Sequence, residues 1–168
     1  MKYAPIPKEL FIENRKNFVN KLLTESVAVL HANDIMPTNA DGTMPFKQNS
    51  DLFYLTGIDQ EESILLICPD ARDKKMREIL FLKETNEHIA TWEGHKYTKE
   101  EAQEISGIQN VMWLSEFEKV FSLLVFESEN IYLNTNEHTR AVVEVETRDA
   151  RFIKYCKEKF PLHNYKRI

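Results

Sequence analysis

Five histidines, the adjacent glutamates Glu61-Glu62 and one dense polar run are the places where this chain could hold chemistry. A metal centre needs His, Cys, Asp or Glu at spacings that let several ligands converge, as two histidines one helical turn apart do with a third contributor. His31, His88, His95, His138 and His163 show no such pattern, and Gly94 breaks the stretch between His88 and His95. Solvated histidines are the expected reading. Glu61-Glu62 could be a carboxylate pair for acid and base work, but adjacent side chains point apart on an extended backbone, so a solvated turn is expected instead. Gly42, Gly57, Gly94 and Gly107 fit neither common phosphate-binding fingerprint, and no serine nucleophile elbow is present. A hydrolase using His31 or His95 as base would have neither nucleophile nor metal to work with, and ranks last.

The polar run is FKQNSDLFYLTG, residues 46–57, reached through a loop of turn formers from Met36-Pro37 through Asn39-Ala40-Asp41-Gly42 to Pro45. Asn49, Ser50 and Asp51 are strong helix-capping residues, and Gly57 suits a left-handed helix end. Leu52 to Thr56 then make one or two helical turns; the competing assignment is a short strand alternating Phe53 and Leu55. The capped helix is preferred. In either case Phe53, Tyr54 and Leu55 are expected to anchor the loop to the core, a structural duty with no ligand.

The elements around this stretch alternate. Phe11, Ile12, Arg15, Phe18, Val19, Leu22 and Leu23 draw a stripe down a helix that starts near Pro7. Ser26 to His31 is a β-branched run of strand length, and a strand followed by a long structured loop is a common setting for a site. Ser63 to Cys68, SILLIC, is apolar throughout and reads as a strand covered on both faces, with Arg77 to Glu84 as its hairpin partner. Thr98 to Ser106 has a Thr cap, an acidic first turn and Gly107 after it. Asn110 to Leu114 is a short strand, Ser115 with Glu118 fits a capping box, Asn130 to Asn134 is another strand, and Val142, Val145, Asp149, Phe152, Cys156 and Phe160 predict a helix over 139–160. The pattern predicts an α/β fold, a mixed sheet of five or six strands with helices on both faces.

The composition sets further bounds. A length of 168 residues fits one domain, with 42% hydrophobic and 29% charged residues, ordinary for a soluble globular protein. A net charge of -5 with interspersed signs gives no basic stripe, which counts against nucleic acid as a partner. No run of apolar residues has the length of a secretion signal or a membrane span, so a soluble cytoplasmic protein is expected. Cys68 and Cys156 form neither a disulfide framework nor a metal knuckle and read as packed thiols.

The segment FKQNSDLFYLTGIDQEESILLI resembles the signature of the N-terminal domain of aminopeptidase P, the Xaa-Pro aminopeptidases of the creatinase and prolidase superfamily. Within it Phe46, Gln48, Asn49, Ser50, Asp51, Phe53, Tyr54 and Gly57 carry the motif. TWEGHKYTKEEAQEISGIQNVMWLSEF is similar to the family's downstream block, in the right order and at a plausible distance. Lys47 departs from the pattern, standing where the family often has arginine, so a bidentate guanidinium contact does not carry over. The resemblance implies the creatinase/prolidase N-terminal fold, ribonuclease H-like, and makes residues 1–168 one such domain without its C-terminal pita-bread metallopeptidase domain. That second domain would hold two divalent metal ions, usually manganese, leaving none here and no catalytic residue here. The implied partners are the domain's own catalytic domain, further copies in a homo-oligomer and proline-containing peptides, with Trp92, Glu93 and His95 as candidate substrate-facing residues. A stand-alone module of the same fold, binding a small ligand or protein, is the alternative.

Overall fold

The structure is a computed structural model that describes residues 5–85, 95–135, 138, 140, 142 and 144–168. Helix α1 (Lys8–Val19) starts behind Pro7, whose fixed φ suits a helix entry and which has no N–H to satisfy. Strand β1 (Ser26–His31) follows, then the long loop and the short helix α2 (Ser50–Thr56). Strands β2 (Ile64–Ile67) and β3 (Glu78–Leu82) form the expected hairpin, with Ile64 opposite Phe81 and Ile67 opposite Glu78. Helix α3 (Lys99–Ser106), strand β4 (Asn110–Trp113), helix α4 (Phe117–Val125), strand β5 (Asn130–Leu133), helix α5 (Arg148–Lys159) and strand β6 (Asn164–Arg167) complete the order.

The strands make one mixed sheet in the order β4-β3-β2-β1-β5-β6. Only β2 runs against its neighbours; the pairs β1–β5, β3–β4 and β5–β6 are parallel. Period-2 alternation splits the core. Val27, Val29, Leu66, Phe81 and Ile131 face α4 and α5, whereas Ala28, Leu30, Leu65, Leu80 and Val111 face α1, α2 and α3. Central strands covered on both faces carry the continuous apolar runs seen in SILLIC and SVAVLH.

Caps decide several boundaries. Thr98 accepts from the Glu101 N–H while the Glu101 carboxylate accepts from the Thr98 N–H, and Gly107 closes the helix at φ 74°. The last helix is shorter than its apolar spacing predicts. Thr147, extended, accepts from the Ala150 N–H and starts α5 at Arg148; Thr139 lies outside the described residues, and Val142 and Val145 are exposed. A cap hydrogen bond outweighs two apolar residues that stay mostly exposed. Ser115 does not cap α4 either: a 3₁₀ turn, Leu114–Glu116, comes first, and the Glu116 carboxylate accepts from the Trp113 N–H. The sixth strand lies in HNYKRI, where four mostly exposed residues carry no strand pattern of their own.

Buried Arg15 knots one helical layer. Its guanidinium donates to Leu55 O at 2.8 Å, to Ser106 O at 3.0 Å and to Glu78 Oε2 at 3.1 Å. The two carbonyls end α2 and α3, where the helix dipole favours a cation. Both helices stop at a left-handed glycine facing α1, and at Gly57 a Cβ would lie 2.4 Å from the Phe11 ring.

Candidate functional site

Because β2 alone is reversed, β1, β3 and β5 all point the same way, and the connections after His31, Leu82 and Leu133 leave from one edge of the sheet. Open α/β sheets place their binding crevices beyond the carboxyl ends of such strands. The polar motif of residues 46–57 lies along this edge, and its Gln48, Asn49, Asp51 and Thr56 side chains each have a structural partner. Asn49 caps α2 by accepting from the Asp51 and Leu52 N–H groups. Buried Gln48 donates to Ile58 O, Gln60 O and Ser63 Oγ and accepts from the Asn49 N–H. Asp51 accepts from Asn134 Nδ2 at 3.0 Å, tying α2 to the end of β5.

The aromatic residues divide. Half-buried Phe46 packs against the apolar core of the α1–α3 face, and Phe53 meets Phe11 edge-on at 6.2 Å. Tyr54 is not an anchor: it is 59% exposed, because the helical turn that buries Leu52 and Leu55 directs the intervening position outward. Lys47 is exposed, and Ser50 is the exposed first residue of α2.

Across the same edge lies a charged cluster that no sequence spacing announces. His31 ends β1 with its ring 4.4 Å from Phe152 and 5.9 Å from Phe117, so it is a buried side chain and not a solvated one. Its Nδ1 stands 3.7 Å from Asp149 Oδ1, beyond hydrogen-bonding distance. Burial pushes the His31 pKa below its ordinary 6.5, and the Asp149 carboxylate offsets only part of that. Asp34 accepts from Arg148 Nε at 3.1 Å and from Arg151 Nη2 at 2.8 Å. Partial burial would raise its pKa, but the two guanidinium groups outweigh that and hold it below the usual carboxylate range. A cleft of about 330 Å³ opens between the loop and the start of α5, lined by Asp34, Met36, Met44, Lys47, Val145 and Arg148. His31 and Asp149 have the makings of an acid–base pair, yet no hydroxyl or thiol is hydrogen-bonded to His31 among the described residues.

The candidate substrate-facing residues are placed in part. Trp92 and Glu93 lie outside the described residues. His95 is exposed, with Nε2 3.2 Å from Glu101 Oε2. Glu61 and Glu62 are not a solvated turn: they point apart as expected, but Glu61 pairs with Lys96 and Glu62 with Lys83, each less than one-third exposed. The resemblance implies divalent metal in the wider family, and the residues described here do not fit one. Among them no group of three or more His, Cys, Asp or Glu side chains converges on a point. Nor is any helix among them long and apolar enough to cross a membrane. Both thiols are free and buried, and desolvation pushes Cys156 up to about 12.

Comparison with known proteins agrees with this architecture. Residues 11–132 match the family model for the aminopeptidase P N-terminal domain. The chain is 27% identical over 136 residues to an Xaa-Pro aminopeptidase of Haemophilus influenzae, covering 81% of this chain and 31% of that protein. It is 25% identical over 142 residues to the Escherichia coli Xaa-Pro aminopeptidase, covering 84% and 32%. The chain thus spans about a third of the length of these curated relatives. A Bacillus anthracis structure described as an aminopeptidase P superposes with a TM-score of 0.85 at 28% identity, over 96% of this chain and 38% of that one. Pseudomonas aeruginosa aminopeptidase PepP shares the fold with a TM-score of 0.76 at 19% identity, over 98% and 36%. The chain belongs to the family of aminopeptidase P N-terminal domains.

Proposed function

We propose that this chain is the noncatalytic N-terminal domain of an Xaa-Pro aminopeptidase, a hydrolase that removes the N-terminal residue preceding proline. Its work in this reading is to shape peptide access and to form contacts between subunits. The observation that carries the proposal is the family match over residues 11–132 in a chain that spans 31% and 32% of its curated relatives. Peptide-bond hydrolysis, with two divalent ions that the family resemblance makes manganese, is assigned to a C-terminal catalytic domain and not to these residues. Trp92, Glu93 and His95 are the residues this reading gives to the peptide path; the connection that carries them leaves the sheet after Leu82, at the same edge as the motif. The protein works in the cytoplasm, in keeping with two unpaired cysteines.

Incubating the protein with Mn²⁺ and an Xaa-Pro peptide tests the noncatalytic assignment: no amino acid is released, and turnover overturns it. In the enzyme that contains this domain, Trp92→Ala raises KM for longer peptides and leaves kcat intact, as loss of uniform binding does. An unchanged KM removes Trp92 from the path. Sedimentation of that enzyme with and without the domain reports the subunit contacts, and an unaltered oligomer overturns that role.

A further inference from the structure

The chain between β3 and α3 leaves the sheet at Lys83 and returns at Lys96, and both lysines are bound to one tight turn. Lys83 Nζ stands 3.1 Å from Glu62 Oε2, and Lys96 pairs with Glu61. Glu62 adopts φ 52°, and Glu61 and Glu62 bond to opposite ends of the connection. The returning residues are held one after another. His95 meets Glu101, the Tyr97 N–H donates to Gln60 Oε1 at 2.7 Å, and the Thr98 N–H donates to Glu101 Oε2.

Surface ion pairs usually contribute little, because solvent screens them and side-chain entropy opposes them. The Lys96–Glu61 pair differs, since its side chains are only 11% and 14% exposed. Its platform is also rigid: Gln48 donates to Ile58 O and Gln60 O and to Ser63 Oγ, Ser63 Oγ donates to Gln60 O, and Ala32 N–H donates to Ser63 O. Hydrogen bonds from the polar motif thus hold the residues on both sides of the turn, and the turn's two carboxylates pair with both ends of the connection.

We propose that Glu61 and Glu62, on a turn locked by Gln48, are positioning residues that anchor the two ends of the connection carrying Trp92 and Glu93. The inference rests on the access role given to that connection above. It also gives the polar motif a task beyond capping α2.

Trypsin reads the two anchors separately, because no lysine or arginine lies between Lys83 and Lys96. Glu61→Gln speeds cleavage after Lys96 about tenfold, the change expected when a buried anchor is lost and cleavage follows the open fraction. Glu62→Gln speeds cleavage after Lys83 by a smaller factor, in line with its greater exposure. In a Trp113→Phe background, where Trp92 is the remaining indole, Glu61→Gln raises acrylamide quenching, and Glu61→Lys combined with Lys96→Glu restores it. Unchanged cleavage and quenching overturn the proposal, as does acceleration at all tryptic sites with a lowered melting temperature, which would make Glu61 a contributor to general stability only. These readouts use no substrate. If they move as stated while Trp92→Ala leaves the enzyme's KM unchanged, the anchoring stands and the access role fails.

Discussion

Arg15 and His31 are almost equally buried, at 1% and 4% exposure, yet the fold treats them in opposite ways. Arg15 lies in the helical layer of α1, α2 and α3, and its guanidinium reaches two helix-terminal carbonyls and the Glu78 carboxylate. His31 sits at the carboxyl edge of the sheet between two phenylalanine rings, its nearest carboxylate 3.7 Å away. The difference follows from what each group can give up. Arginine cannot lose its proton, so a buried guanidinium must be satisfied by oxygen atoms. Histidine can, and burial lowers its pKa so that the ring enters the core as a neutral aromatic group.

Breaking the first region has the largest effect. Arg15→Ala leaves Leu55 O, Ser106 O and Glu78 without their donor and lowers stability by about 3–5 kcal/mol, measured by urea unfolding. A loss under about 1 kcal/mol would mean that water replaces the guanidinium and that the layer is not held by it. Gly57→Ala forces a side chain into φ 71° and against the Phe11 ring, costing about 1–3 kcal/mol by the same measurement. An unchanged midpoint would show that Phe11 yields freely.

The second region should respond to pH. The folded pKa of His31 lies below its unfolded 6.5, so below that pH the unfolded state binds more protons. The stability is full above 6.5 and is lost as the pH falls from there through the folded value. The melting temperature therefore drops as the pH falls below about 6.5, and His31→Phe makes that drop shallower. Identical slopes would show that His31 does not titrate differently in the fold. The smallest effect belongs to Tyr54→Ala, which moves stability by no more than about 0.5 kcal/mol, as changes at exposed positions do. A loss of several kcal/mol would put the ring back in the core.

Local chemistry made much of the fold legible. The Thr98 cap, the Asn49 cap, both left-handed glycines and the all-apolar β2 needed only neighbouring residues to be read. Where local signals competed, periodicity misled: Val142 and Val145 continue the spacing of α5, but Thr147 caps it after them. Of the candidate site, the FKQNSD motif was visible and its partners were not. Gln48 reaches Ser63, and Asp51 reaches Asn134, 83 positions away. Arg148 and Arg151 meet Asp34 across 114 and 117 positions, a separation at which spacing carries no signal.

The sequence by itself determined most element types, several caps and the family signature, because each depends on torsional preference and hydrogen bonds within a few residues. Only the tertiary structure decided which charged groups are buried and what they touch. Sheet order brings β1, the loop after it and α5 to one edge, and a neutral imidazole or a satisfied guanidinium exists only once that low-dielectric setting has been assembled.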